Sequence, residues 1–242
     1  MRLFKFQIGV AAFLACLSGT LPAAGFPVTP PADRPFDLTG VWALDIGGGW
    51  ADAPPLTPAA AKLKEEQIKR NQAGDGGFGD CLPTGMPTIL TYSPPLQIVQ
   101  LPNQLLILHE YKHSPRWIWL DGREHPDPED VGTTYNGHSV GWWEGDTLVI
   151  DTVNINNKVP MPVNVRRKEP EARLLHSEKL HIVERIRMAP DKKSYTNTLT
   201  MTDPLVLAQP FTTTLNIKRR NDLELAEYVC ENNCDVSGNL RP

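Results

Sequence analysis

The fold is decided by residues 105–152, which read LLILHEYKHSPRWIWLDGREHPDPEDVGTTYNGHSVGWWEGDTLVIDT. Three apolar runs of strand length in this segment carry four of the six histidines and four of the six tryptophans of the chain. Glu144-Gly145-Asp146 separates two of the runs and is typical of a hairpin turn. Apolar strands bury an interior, and the polar side chains among them need partners or a ligand. The segment therefore predicts a β-rich core with a polar pocket.

The strand pattern continues on both sides of this segment. Apolar and polar residues alternate in further runs, which are separated by Pro, Gly, Asn and Asp clusters: residues 40–44, 96–101, 174–188, 194–203, 211–220 and 223–229. About ten strands are enough to close a barrel. We therefore expect an all-β fold, an antiparallel barrel of about 8–10 strands, formed by residues 37–242 as a single domain.

One helix is expected outside the barrel. Thr57 and Pro58 precede AAAKLKEEQIKRNQ, so that an N-cap residue and a proline at the first helical position start the helix and basic residues lie near its end. Its apolar stripe is thin, which predicts a short surface helix in the N-terminal part of the chain.

The N-terminus has the pattern of a secretory signal peptide. Arg2 and Lys5 precede an apolar run over residues 8–17, and small residues follow up to Gly25. The run is too short for a stable membrane span of about 20 residues. We therefore predict a signal peptide over residues 1–25, a Pro-rich arm over residues 26–36, and a periplasmic or secreted protein. A lipoprotein anchored at Cys16 is the less favoured alternative.

Charge and cysteine content limit the partners and the chemistry. Loss of Arg2 and Lys5 takes the 24 basic residues to 22 against 28 acidic ones, a formal charge of −6, which argues against a nucleic-acid partner. Three cysteines remain after the leader, and an oxidising compartment favours a disulfide. Cys81 with Cys230 is the favoured pair because it closes a long loop, and Cys234 is the alternative partner.

Six ordered motifs resemble a group of exported bacterial proteins without an assigned activity. They are DLTGVW from Asp37, CLPTGMP from Cys81, LDGREHP from Leu120, GHSVGWWEGDTLVIDT from Gly137, HSEKLHIVERIR from His176 and EYVCEN from Glu227. Gly40-Val41-Trp42 is similar to the opening motif of lipocalin-like (calycin) barrels, in which the tryptophan closes one end. The resemblance implies a barrel-like fold and names no substrate. Cys234 departs from the usual ending of the group.

Strand alternation selects the candidate catalytic residues. If residues 174–188 form one strand, His176, Glu178 and Glu184 share its mostly apolar face and point into the barrel. A buried carboxylate needs a cation, a hydrogen-bond network or a ligand. Three interpretations follow: a structural network with Arg116, Arg123 or neighbouring hydroxyls, an acid–base or ligand site, or a metal site. His138 follows Gly137 at the start of a strand, a position that favours function.

Charged and aromatic residues around the segment WIWL are candidate substrate-binding groups. Arg116, Arg123 and His125 flank it, and they either solvate the tip of a hairpin or line a pocket mouth and orient a polar group. Trp119 and Trp142 either belong to the core or stack on a ligand. The histidine spacings match no zinc motif, and no phosphate-binding glycine pattern follows a strand. We therefore predict neither a metal nor a cofactor.

Three functions are compatible with these residues. The first is a cofactor-independent acid–base enzyme, a lyase, isomerase or cyclase that acts on a small hydrophobic or aromatic molecule. In it, His138 and His176 exchange protons across one cavity, Glu178 or Glu184 orients them, and Arg123 holds the substrate. The second is a noncatalytic carrier of a similar ligand, and the third is a structural envelope protein. Oligomeric state and substrate are left open.

Overall fold

Nine strands form a closed barrel, which confirms the predicted all-β barrel of eight to ten strands. The structure, a computed structural model, describes residues 25–45, 50–72, 82–163 and 172–229. The barrel strands are β1 (Gly40–Leu44), β2 (Leu96–Gln100), β3 (Gln104–His109), β4 (Ser114–Trp119), β5 (His138–Glu144), β6 (Thr147–Val153), β9 (His181–Met188), β10 (Ser194–Thr202) and β11 (Phe211–Arg219), in the order β1-β11-β10-β9-β6-β5-β4-β3-β2. A separate two-stranded sheet consists of β7 (Pro160–Pro162) and β8 (Arg173–Leu175).

The barrel departs from a fully antiparallel arrangement at one place. Strands β4 and β5 are parallel, and only two residue pairs join them, Ile118 with Ser139 and Trp119 with Val140. Parallel neighbours require a long connection, and residues 120–137 supply it, with the short helix α2 (Pro128–Val131) inside. The first residues of β4 therefore have no partner on β5, and the wall opens there.

Trp42 of the opening motif lies on β1, the first strand of the barrel. Its side chain is fully buried, its indole Nε1 donates to the Leu38 carbonyl at 2.7 Å, and Tyr195 contacts it edge-on at 4.8 Å. The Arg219 guanidinium lies 4.1 Å from the ring centroid. Strand β1 pairs with β2 on one side and with β11 on the other, so Trp42 lies at the seam that completes the barrel.

The predicted helix is present as α1 (Pro58–Gln72). The Thr57 hydroxyl accepts a hydrogen bond from the Ala60 amide at 3.3 Å, as expected of an N-cap residue. Ala60 is the buried residue of the helix, which confirms its surface position. Short 3₁₀ segments occur at Pro31–Asp33, Thr88–Thr91 and Tyr111–His113. No helix in the described ranges is long and apolar enough to cross a membrane.

Two strand predictions are wrong. Residues 174–188 do not form one strand, because the chain turns after β8 and β9 begins only at His181. The Asp203 carboxylate holds this turn by accepting from the Ser177 amide at 2.7 Å and the Ser177 hydroxyl at 2.8 Å. Residues 223–229 join no strand ladder, and the Ala226 amide bonds to the Glu110 carboxylate at 2.8 Å instead.

Several predicted features lie outside the described residues. These are residues 1–24 of the predicted leader, which include Cys16, and the three cysteines considered for the disulfide, Cys81, Cys230 and Cys234.

Candidate functional site

The outer face of three neighbouring strands carries the main cluster of titratable side chains. Ser139 and Gly141 of β5 are buried toward the barrel interior, so alternation turns His138 outward. The same alternation turns Asp151 of β6 and His181 of β9 outward. Because β5, β6 and β9 are consecutive in the barrel, these three side chains lie next to one another.

Hydrogen bonds link these residues into a chain through His125, which comes from the β4–β5 connection. His125 Nδ1 lies 2.9 Å from His138 Nδ1, and His125 Nε2 lies 3.1 Å from Asp151 Oδ1. On the other side, His181 Nε2 lies 2.8 Å from Asp151 Oδ2. We call His138, His125, Asp151 and His181 the histidine–aspartate chain.

The ionised state of Asp151 decides which ring nitrogens donate and which accept within the histidine–aspartate chain. An ionised carboxylate only accepts, so His125 donates its Nε2 proton to Asp151. The Nδ1 atom of neutral His125 then accepts a proton from His138 Nδ1. This leaves a lone pair on His138 Nε2, for which no hydrogen-bond partner is present in the described part of the chain. The arrangement makes His138 Nε2 a base whose gained charge can be shared with His125 and Asp151.

The protonation states favour this arrangement. Burial alone raises the pKa of Asp151, but the hydrogen bonds from His125 and His181 lower it to about 2, so the carboxylate is charged near neutrality. Burial is the main cause that lowers the pKa of His138, to about 4, and the nearby Arg123 guanidinium lowers it further. His138 is therefore neutral near pH 7 and keeps a lone pair on one ring nitrogen.

A pocket of about 450 Å³ lies where β4 and β5 separate, and His138 forms part of its wall. Trp117 and Trp119 supply its largest apolar surfaces. The Asn136 amide donates to the Ser114 hydroxyl at 2.9 Å and fixes the opposite edge. We call this cavity the His138 pocket. Its volume and aromatic lining suit a small apolar or aromatic molecule.

Gly137 allows the loop to enter β5 at this position. Its φ of 69° is unfavourable for residues with a Cβ, and a Cβ there would lie 2.5 Å from the Val153 carbonyl oxygen. The glycine therefore lets the backbone before His138 approach β6 closely. This close approach leads into β5 at the point where the His138 side chain lines the pocket.

Aromatic side chains cover the histidine–aspartate chain. Phe26 of the N-terminal arm stacks on Trp142 at 4.7 Å and contacts His125 edge-on at 5.9 Å. Arg123 lies 3.8 Å above Trp119 and forms an ion pair with Asp121 at 2.6 Å. These contacts hold the residues around His125 in place, and Arg123 is already engaged by a carboxylate.

The barrel interior contains a different polar network. Arg116 and Glu184 are both 1% exposed and form an ion pair at 2.5 Å. Arg116 also donates to the Ser139 hydroxyl at 3.1 Å and the Thr152 hydroxyl at 2.8 Å, and Asn197 donates to Glu184 at 2.7 Å. Of the three interpretations of a buried carboxylate given above, Glu184 therefore shows the first, a structural network with Arg116 and nearby hydroxyls.

The structure does not bring the four predicted catalytic residues together. Glu184 points into the barrel and His138 points outward, so they lie on opposite faces of the wall. His176 is buried after β8, where its Nδ1 lies 2.8 Å from the Ser177 carbonyl oxygen, and Glu178 is exposed in the following turn. The break between β8 and β9 is the cause, because it ends the alternation from which the shared face of His176, Glu178 and Glu184 was predicted.

Other predicted residues do converge on His138, and two residues of the cluster were not predicted. Of the predicted substrate-binding groups, His125 bonds to His138 and Trp119 lines the same pocket. Asp151 and His181 were not predicted. The sequence did contain a signal for Asp151, because it is a carboxylate within the apolar run TLVIDTV. A carboxylate in such a run must face outward or be paired.

The ion pair between His181 and Asp151 should depend on pH. The hydrogen bond that His181 donates to the Asp151 carboxylate raises the pKa of His181 above its ordinary value of 6.5. The resulting stabilisation is complete below pH 6.5 and is lost as the pH rises through the raised pKa. We expect an NMR titration of the His181 ring to show the raised pKa and Asp151→Asn to lower it.

Asp146→Asn provides the matched control for this titration. Asp146 is an exposed carboxylate at the other end of β6 and pairs with Arg187. Its replacement should leave the His181 titration unchanged. An unchanged His181 pKa in the Asp151→Asn variant would contradict the ion pair.

The histidine–aspartate chain is held by hydrogen bonds, and within the described ranges no group of three or more His, Cys, Asp or Glu side chains is arranged to hold a metal ion. No protein-family model matches the polypeptide, and no curated protein matches it in sequence.

Proposed function

We propose that the protein is an exported, cofactor-independent acid–base enzyme that uses His138 as its base in the His138 pocket. The observation that carries the proposal is the free Nε2 of His138, whose other ring nitrogen is linked through His125 to Asp151. Histidine is the side chain most often used for such proton transfer. The substrate class is a small hydrophobic or aromatic molecule that has an acidic C–H bond.

The reaction begins with proton transfer from substrate carbon to His138 Nε2. The electron pair of the C–H bond stays on the substrate as an enolate-like anion, and His138 becomes an imidazolium. Its Nδ1 proton is then hydrogen-bonded to His125, and the Asp151 carboxylate stabilises the added positive charge. Return of the proton to another substrate atom gives isomerisation. Expulsion of a leaving group that takes the proton gives elimination.

Hydrogen–deuterium exchange tests the base without knowledge of the product. Purified protein in D₂O is incubated with small aryl ketones, and deuterium at the carbon next to the carbonyl is measured by NMR. We expect wild-type protein to accelerate exchange and His138→Gln to lower the rate by about 100-fold or more. Asp151→Asn should also lower it, because the positive charge gained by His138 would lose the nearby carboxylate.

The control for this experiment is His176→Gln, a change that lies outside the histidine–aspartate chain. It should retain the exchange rate of the wild type. Full exchange by His138→Gln, or its loss only in His176→Gln, would contradict the assigned base.

A noncatalytic carrier is the second candidate, favoured by the exposed aromatic surface of the His138 pocket. Trp117 is 44% exposed and stacks with Trp119 at 6.4 Å, which is a suitable surface for an apolar ligand. The carrier predicts saturable ligand binding in the same experiment with no deuterium incorporated by wild-type protein. Both candidates place the protein in the periplasm or outside the cell.

A further inference from the structure

A second pocket of about 260 Å³ lies beside α1, the 3₁₀ segment Thr88–Thr91 and the β7–β8 sheet. Its wall contains three cationic side chains, Lys112, Lys158 and Arg173. No Asp or Glu lines it among the described residues. We call this cavity the Tyr92 pocket. Its wall is therefore strongly positive although the chain as a whole is acidic.

Stacked tyrosines form the aromatic side of the Tyr92 pocket. The rings of Tyr92 and Tyr111 lie 4.3 Å apart with an interplanar angle of 17°, and Tyr228 contacts Tyr111 at 5.0 Å. Arg173 donates to the Tyr92 hydroxyl at 2.9 Å. These contacts fix the aromatic wall and the guanidinium relative to each other before any ligand binds.

The cations are arranged around this aromatic wall. The Lys112 ammonium lies 5.6 Å from the centre of the Tyr111 ring, and the Arg173 guanidinium lies at the same distance from the centre of the Tyr92 ring. Lys158 is exposed, and its ammonium has no partner in the part of the chain that the structure describes. The Lys158 ammonium is therefore available to an anionic ligand.

The backbone beside the Tyr92 pocket is in an unfavourable conformation. Lys112 and His113 have φ values of 57° and 43°, the left-handed region that non-glycine residues rarely adopt. Consecutive residues in this region are typical of binding sites, where tertiary contacts maintain a costly conformation. The conformation places Lys112 where its side chain lines the Tyr92 pocket.

We propose that the Tyr92 pocket binds a small aromatic carboxylate. The ring of the ligand would contact the tyrosine wall, and its carboxylate would meet the Lys158 ammonium and the Arg173 guanidinium. Thr84 lines the same wall, and its hydroxyl, which has no partner among the described residues, can donate a further hydrogen bond. The cavity has room for a substituted benzene ring. His138 does not line this pocket, although Lys112 lines both cavities.

Calorimetric titration with benzoate tests the proposal. We expect saturable one-site binding that weakens as ionic strength rises, because charge attraction contributes to it. Lys158→Glu should weaken binding by about tenfold or more, since a charge-assisted contact is replaced by repulsion. Lys158 is exposed, so the variant should fold normally.

Two control variants test whether the site is specific, and an uncharged ligand tests the contribution of the carboxylate charge. Lys179→Gln removes an exposed lysine from the turn before β9, and His138→Gln alters only the other pocket; both should bind benzoate as wild type does. Benzyl alcohol, which has the ring without the charge, should bind at least tenfold more weakly. Equal binding of benzoate by wild type and Lys158→Glu would overturn the proposal, as would tighter binding of inorganic phosphate than of benzoate.

Discussion

Glu184→Ala should destabilise the folded barrel by about 3–5 kcal/mol. Arg116 and Glu184 are each 1% exposed, and removal of the carboxylate leaves the guanidinium buried without its countercharge. The Ser139 and Thr152 hydroxyls remain as hydrogen-bond acceptors but carry no charge to balance Arg116. The measurement is the free energy of unfolding in urea at neutral pH.

A double variant separates the cost of an unpaired charge from the value of the pair. Arg116→Met with Glu184→Leu replaces both charges by apolar groups and should recover most of the lost stability, because a buried ion pair is often no more stable than apolar replacements.

The exposed pair of Arg185 and Glu144 is the matched control, since its side chains are 46% and 45% exposed. Glu144→Ala should cost at most about 1 kcal/mol. Equal losses for Glu184→Ala and Glu144→Ala would contradict the prediction.

Trp42→Ala should cost about 3–5 kcal/mol, the usual range for removal of a buried aromatic side chain. Trp42 is fully buried at the seam between β2 and β11, and its loss also removes the hydrogen bond to Leu38 and the surface beneath Arg219. The remaining cavity lies between strands that cannot close without distorting the barrel. The same urea unfolding experiment measures the effect.

The control for this variant is another tryptophan. Trp117 is 44% exposed on β4, and Trp117→Ala should cost less than half as much because little apolar surface returns to water. If the two variants lost similar stability, Trp42 would not be the residue that holds the barrel closed.

Local patterns in the sequence determined the fold class and much of its framework. The alternation of apolar and polar residues predicts most barrel strands, and Glu144-Gly145-Asp146 forms the predicted hairpin with Gly145 at a φ of 59°. Thr57 and Pro58 start α1 as expected. These features depend on residues within one strand, turn or helix end, so they can be inferred from neighbouring letters.

Alternation also predicted which residues of β5 share a face. His138, Val140, Trp142 and Glu144 share one face of β5, as alternation predicts. The pairing of Glu184 with Arg116 and hydroxyls was one of the interpretations that buried charge requires. Alternation relates residues within one strand, however, and both faces of β5 carry bulky side chains, so the sequence left open which face is inside.

Only the tertiary structure decided how distant residues meet. The turn at Ser177 is made by Asp203, 26 positions away, and it removes His176 and Glu178 from the strand that carries Glu184. The parallel placement of β4 beside β5 opens the His138 pocket and brings His125 onto Asp151. Strand order and register arise from long-range pairing in the whole barrel, and no local pattern encodes them. The sequence therefore determined an all-β barrel bearing His138, and the tertiary structure alone joined His138 to His125, Asp151 and His181.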